Sequence, residues 1–217
     1  MIDRPKMLNE RQETRAGKIF SALCTFAVLL LVAFTVFNLW FVNAYFVVEV
    51  EGESMENTLQ SGDFLYAERV NFVAERGDVV IIDVKGHSGL FEPKTERIIK
   101  RLIALEGDCV KCERGVVSLK KAGEEDFTPL DEPYIKGVTP DFSETEVRAG
   151  QIFFLGDNRP ISRDSTEVGC LYYSDIVGVV PEWAIKIKGY TTKKESGRNV
   201  FAELERQIMI KKELYLW

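Results

Sequence analysis

Ser54 stands in the stretch GESMENTL, residues 52–59, directly after the strand-like run YFVVEV. A serine hydroxyl becomes a nucleophile only when a base beside it takes the proton. The chain has one histidine, His87, in the polar turn KGHSG, where solvent is its expected partner. Lysine is the other choice of base, and Lys100 lies in RIIKRLIALEGD, residues 97–108. On a strand alternate side chains share a face, which sets Lys100 with Ile98, Leu102 and Ala104. An amine among such neighbours loses hydration, and desolvation disfavours the ammonium form and lowers its pKa. A lysine so placed can serve as a general base near neutral pH. Arg101 points the other way with Ile99 and Ile103 and needs an anion, for which Asp157 and Asp164 are candidates. Both belong to GDNRPISRDS, residues 156–165, where two Asp, two Arg and two Ser fall within ten residues after QIFFL. Such a set can build a hydrogen-bonded network that aims a catalytic group. Taken singly, the three segments also fit a serine in a turn, a lysine snorkelling at a strand edge and a polar surface turn.

The elements that must hold these residues read as β. Short runs rich in Val, Ile, Phe and Tyr alternate with Gly, Asp, Asn and Pro. Candidate strands are FVVEV, FLYAERV, DVVIIDV, RIIKRLIAL, CVKC, VVSL, QIFFLG, IVGVV and WAIKIKG. Residues 119–149 are polar, hold Pro129, Pro133 and Pro140, and read as an inserted loop region. In the tail, Val200, Leu204 and Ile208 recur at helical spacing.

No Asp, Glu, Lys or Arg occurs from residue 19 to residue 48. About 20 helical apolar residues cross a bilayer, so IFSALCTFAVLLLVAFTVF is expected to span one. A cleaved secretory signal ending at Val42-Asn43-Ala44 is the rival reading, but its apolar core would run only about 7–15 residues. Trp40, Phe41, Tyr45 and Phe46 follow the run like an interfacial belt, and the basic residues precede it, which leaves the N-terminus in the cytoplasm. The expected parts are a basic tail (1–18), a membrane anchor (19–46), an extracytoplasmic β domain (47–190, with an accessory insertion at about 108–150) and a helical tail (191–217). The formal net charge of -6 argues against nucleic acid as the main partner.

The cysteines offer little chemistry. Cys109 and Cys112 flank Val110-Lys111 in a segment that reads as strand, turn at residues 113–115, strand. Three strand steps set them about 10 Å apart on opposite faces, beyond the roughly 7 Å limit for a disulfide. A lone CxxC without a second pair or a nearby His is a poor zinc site.

Taken together, the anchor followed by SMENTL, GDVVIID, KRLIALEGD and GDNRPISRDST resembles the bacterial type I signal peptidases, Ser-Lys membrane enzymes that remove signal peptides. The resemblance runs in order from the anchor to about Gly178. It implies a mainly β fold: an N-terminal transmembrane helix, then an antiparallel β catalytic domain of the signal-peptidase and LexA-like type with a small inserted region. Ser54 would be the nucleophile and Lys100 its general base. The Ser54 N–H would help form the oxyanion hole, beside Gly52 where some members carry a serine hydroxyl. Ser162 would orient the Lys100 amine. Val48, Val50, Met55 and Ile99 would bind substrate. Arg101, Gly156, Asp157, Asn158, Arg159 and Asp164 would form the scaffold. No metal or cofactor is implied. The partners would be membrane-bound preproteins with small residues before the cut, in the bacterial cytoplasmic membrane, met by a monomer.

Four further positions depart from the family pattern. Asn57 replaces proline and would loosen the turn after Ser54. Ala104 and Glu106 replace Gly and Pro. Thr166 replaces Arg and would leave Asp164 without its partner. Eukaryotic and archaeal relatives carry His at the position of Lys100, and soluble self-cleaving Ser-Lys repressors lack the anchor. Two other readings remain: a Ser-His-Asp hydrolase using His87, and an anchored binding protein with a degenerate site.

Overall fold

The computed structural model describes residues 15–69, 73–87 and 89–192. All of the expected C-terminal helix beyond residue 192, and the first 14 residues of the basic tail, lie outside the described residues. The chain divides into a unit ending at Asn43 and a unit beginning at Ala44.

The first unit is helix α1, Arg15–Ala44, continuous through the uncharged run. From Gly17 to Ala44 it is long and apolar enough to cross a membrane. At 1.5 Å per residue these 28 residues extend about 42 Å, more than the roughly 30 Å of a hydrocarbon core. Residues 17–40 are exposed, Phe20, Leu31 and Phe34 among them. Polar side chains inside the run fold back on the helix. Thr25 donates to the Ser21 carbonyl, Thr35 to Leu31, Asn38 to Phe34 and Asn43 to Leu39, at 2.6–2.9 Å. Each of these four donors thus finds its acceptor within the helix, as an apolar solvent favours.

The second unit is built from β1 (Tyr45–Glu49), β2 (Phe64–Glu68), β3 (Val79–Asp83), β4 (Arg97–Leu105), β5 (Cys109–Glu113), β6 (Val116–Lys120), β7 (Thr128–Pro129), β8 (Phe142–Glu146), β9 (Gln151–Leu155), β10 (Leu171–Tyr172) and β11 (Ile176–Val180). One sheet has the order β1-β2-β11-β3-β4-β9-β10 and the other β7-β6-β5-β8, with antiparallel pairing throughout. The smaller sheet lies in the chain between β4 and β9, which pair directly, so it is an insertion into the larger one. Strand β3 reads VVIID because both its faces are covered. Val80 and Ile82 enter one core cluster, Val79 and Ile81 another.

Strand β4 departs from the simple alternation expected of it. A bulge between Leu102 and Ala104 shifts the register, so Leu102 stays with Val80 and Ile82 while Ile103 and Ala104 both enter a third cluster. That cluster joins the sheets: Val110, Cys112, Val117 and Leu119 meet Phe153 and Leu155.

Two expected assignments are corrected. Residues 119–149 are not all loop, because β7 and the polar strand β8 (FSETE) flank β5 and β6. Edge strands need little apolar content, and β8 buries mainly Phe142, whose ring lies 5.5 Å from Phe153. The run WAIKIKG is a helix, not a strand: α3 spans Glu182–Thr192. Pro181 precedes it with a φ suited to a helix start, and Glu182 pairs with Lys186 one turn on. Ala184 is its buried residue, and Trp183 stacks near Tyr45 and Tyr66.

Elsewhere the turn between β5 and β6 is Arg114-Gly115, with φ of 54° and 78°, the left-handed pair that suits a two-residue hairpin. Cys109 and Cys112 lie on opposite faces of β5 and are free.

Because Phe153 is buried where the two sheets meet, Phe153→Ala should lower stability by about 3–5 kcal/mol in urea denaturation. A loss under 1 kcal/mol would mean that the junction is not tightly packed.

Candidate active site

Strand β1 delivers the chain to a turn at residues 53–58. Gly52, before it, has φ +85°, and its N–H donates to Ser61 Oγ at 3.3 Å. The segment is closed at its base, where Val50 N–H donates to the Asp63 carbonyl and Gly62 N–H to the Val50 carbonyl. Met55 and Leu59 bury their side chains in the core, and Leu59 N–H donates to the Met55 carbonyl at 2.7 Å. Between these anchors Ser54 stays half-buried, and its N–H has no hydrogen-bond partner among the described residues.

Lys100 comes from the middle of β4, opposite Val80, and is only 4% exposed. Its Nζ lies 2.6 Å from Ser54 Oγ. Burial pushes the amine down from its usual 10.5 to about 8, against the opposing pull of the Asp164 and Asp157 charges. At that value a substantial fraction is neutral near pH 7–8, with a lone pair that can accept the serine proton.

The two carboxylates nearest in charge are themselves engaged. Asp157 takes a bidentate pair from Arg101, Nε to Oδ1 at 2.9 Å and Nη2 to Oδ2 at 2.6 Å, and also accepts from Thr58 Oγ1. Arg101 donates further to the Gly77 carbonyl at 2.7 Å. Asp164 accepts from Gly156 N–H at 2.9 Å and from both the N–H and the hydroxyl of Thr166, at 3.2 and 2.9 Å. Thr166 therefore does not leave Asp164 unpartnered. It supplies the donors itself, as the first turn of the short helix α2 (Ser165–Val168) capped by Asp164.

The 156–162 loop grips the nucleophile turn directly. Asn158 N–H donates to the Ser54 carbonyl and Asn158 Nδ2 to the Glu53 carbonyl, both at 3.0 Å. Gly156 has no room for a side chain: a Cβ there would sit 2.0 Å from Ser162 Oγ and 2.5 Å from the Ser54 carbonyl oxygen. Ser162 is placed beside the site, but its buried hydroxyl makes no hydrogen bond among the described residues. The expected hold of Ser162 on the Lys100 amine is not made, because the hydroxyl packs over Gly156.

Val50 and Met55 are core side chains, while Val48 and Ile99 are half-buried at the surface of the same cluster. His87 is neither solvated nor part of this constellation: its Nε2 lies 2.9 Å from Asp175 Oδ2. Glu106, in place of proline, accepts from Gly150 N–H at 2.7 Å.

The sequence reasoning missed the insertion's share of the site. Arg159 makes a fork pair with the buried Glu132 and donates to Thr139. The Tyr134 ring lies under the Arg101 guanidinium, 3.8 Å from its centroid. Lys136 bridges to Asn158 through the backbone and pairs with Glu56. Glu132, Tyr134 and Lys136 sit in a segment that reads only as polar loop. In the sequence Arg101, Arg159 and Arg163 outnumber Asp157 and Asp164, and that excess was the one signal that an acid must come from elsewhere.

Burying the Lys100 ammonium costs stability, since the folded pKa of about 8 lies below the unfolded 10.5. The cost is full below pH 8 and fades as pH rises toward 10.5. Lys100→Met should therefore raise stability at pH 7 by about 3 kcal/mol, and by much less at pH 10, in urea denaturation. An equal gain at both values would mean that desolvation is not the cause.

The family model described as "Signal peptidase, peptidase S26" matches residues 19–183. The chain is similar to a signal peptidase I of Bacillus caldolyticus, 31% identical over 173 residues, which cover 74% of this chain and 85% of the relative. It is also similar to a probable signal peptidase I-1 of Synechocystis, 33% identical over 148 residues, covering 62% of this chain and 69% of the relative. A solved signal peptidase I from Enterococcus faecalis is 24% identical with a TM-score of 0.41, covering 51% of this chain and 98% of that one.

Proposed function

The chain belongs to the signal peptidase family, peptidase S26, and from that premise we propose that it is a membrane-anchored serine endopeptidase in which Ser54 attacks and Lys100 is the general base. The observation that carries this reading is the 2.6 Å approach of Lys100 Nζ to Ser54 Oγ inside a site that withholds water from the amine. The neutral amine accepts the Ser54 proton as Oγ attacks the scissile carbonyl. Negative charge gathers on the carbonyl oxygen, where the unpartnered Ser54 N–H can donate. Collapse of the intermediate breaks the peptide bond. The Lys100 ammonium returns its proton to the departing amine and leaves an acyl-enzyme. A water, deprotonated by Lys100, then releases the new carboxylate.

The substrates of this reading are exported preproteins held by their own apolar segments in the same bilayer as α1. Sharing a membrane raises effective concentration without new contacts. With Lys and Arg before the span, the N-terminus lies in the cytoplasm and the β unit on the outer face. The cleavage segment binds extended. Two strand edges near Ser54 suit it: the outer edge of β1, and the edge of β4 at residues 97–100, which β9 does not cover because its pairing begins at Arg101. Val48 and Ile99 line that approach, with Val50 and Met55 beneath as its apolar floor. Gly52, without a side chain, adds no hydroxyl donor to the oxyanion hole.

A precursor with an Ala-x-Ala site, incubated with the full chain in detergent, tests this. Cleavage after the last Ala should be lost by about 10⁴-fold or more in both Ser54→Ala and Lys100→Ala. Activity that survives Lys100→Ala would remove lysine from the mechanism. The pH profile is a separate check. Only neutral Lys100 is active, so kcat/KM should rise with pH to a plateau above about 8 and fall tenfold per unit below it. A rate that stays flat down to pH 6 would contradict a lysine base.

A further inference from the structure

The family's proline after the nucleophile is replaced here by Asn57, and proline could not occupy this backbone. Asn57 has φ +88°, one of two non-glycine residues with positive φ among those described. Proline is held near -65°, whereas asparagine is among the few residues that tolerate the left-handed region. The conformation turns the side chain outward to the inserted unit. Its amide nitrogen carries two N–H donors, and it faces two successive carbonyls, Tyr134 O at 3.2 Å and Ile135 O at 3.4 Å.

Those carbonyls are fixed points. Tyr134 is held by Arg101 across its ring. Lys136 N–H donates to the Asp157 carbonyl at 2.7 Å, and Arg159 N–H donates to the Lys136 carbonyl at 3.1 Å. Glu132, at the start of the same segment, is locked to Arg159. The nucleophile turn is thus gripped from two sides: by Asn158 at residues 53 and 54, and by the 134–136 strap at Asn57, with Glu56 paired to Lys136.

We propose that Asn57 is a positioning residue, whose left-handed backbone and paired amide bonds tie the Ser54 turn to the inserted sheet unit and set the distance from Ser54 Oγ to Lys100 Nζ. This rests on the Ser54–Lys100 reading of the site. It makes the insertion part of the catalytic geometry, and it makes asparagine at this position a compensated replacement for proline rather than a loosening.

The test compares Asn57→Gly, Asn57→Asp and Asn57→Pro in the full chain in detergent, with precursor cleavage and amide hydrogen exchange as readouts. Glycine keeps the positive φ and removes only the tether. It should lower kcat about tenfold with KM within about twofold, since a small misplacement of reacting groups acts on the chemical step. Exchange at residues 54–59 should quicken while that of β3 stays unchanged. Aspartate offers the two carbonyls no donor and should not rescue. Proline should cost more than glycine, because it forbids the backbone as well. Wild-type kcat in Asn57→Gly, unchanged exchange in its turn, or full activity in Asn57→Pro would each overturn the proposal. If the wild type cleaves nothing, or Lys100→Ala retains activity, the Ser-Lys reading fails instead, and the exchange measurement alone still decides whether Asn57 holds the turn.

Discussion

An ammonium group does not stay willingly in a site with 4% exposure, and the surroundings of Lys100 follow from keeping its amine both dry and close to Ser54. Desolvation is the dominant influence on it, and the charges of Asp164 and Asp157 oppose that influence. Neither carboxylate is bare. Asp157 is matched by the fork of Arg101, and Asp164 is spent on Gly156 N–H and on Thr166. Both anions build the walls of the site, and their charges only partly offset the desolvation of the amine. In the proposed mechanism this is what makes a lysine usable as a base.

The same constraint explains why the catalytic loop is so densely cross-linked. A 2.6 Å contact between side chains 46 residues apart in sequence needs both backbones fixed. Strand β4 supplies one, braced by β3 along residues 97–101 and by β9 beyond. The nucleophile turn is not part of any sheet, so it is held by Met55 and Leu59 in the core, by Asn158 beneath and by Thr58 against Asp157. The inserted unit reaches into this scaffold through Glu132 and Tyr134. The buried Arg159–Glu132 pair is costly to form and more costly to break singly, so the insertion and the 156–162 loop hold one another in place.

Most of the β architecture was legible because its signals are local. Strand β4 and strand β11 match the apolar runs residue for residue, and the Arg114-Gly115 hairpin is marked by its glycine. Two kinds of feature were not legible. The run WAIKIKG alternates like a strand, yet Pro181 and the Glu182–Lys186 spacing start a helix that buries Ala184 and leaves Ile187 exposed. Strand β8 is polar because it is an edge, and composition alone cannot tell an edge strand from a loop. In the site, Ser54 and Lys100 are candidates by residue type and gain their roles from the family resemblance, while Arg101 has two candidate anions in the sequence, of which Asp157 takes it. The partners of Arg159 and Asn57 come from residues 132–135, and nothing in the local sequence points across that distance. The bulge after Leu102 was equally hidden, since one extra residue changes which side chains share a face without changing the apolar run.

The central claim is that burial leaves the Lys100 amine available as a base beside Ser54. The most direct measurement is the titration of that amine itself, followed by NMR at the lysine Cε in the full chain with ¹³C-labelled lysine and assigned by its loss in Lys100→Met. A midpoint near 8 is the predicted result. A midpoint at the usual 10.5, with the other lysines, would mean that the amine is hydrated and cationic at working pH, and the Ser-Lys account would fall.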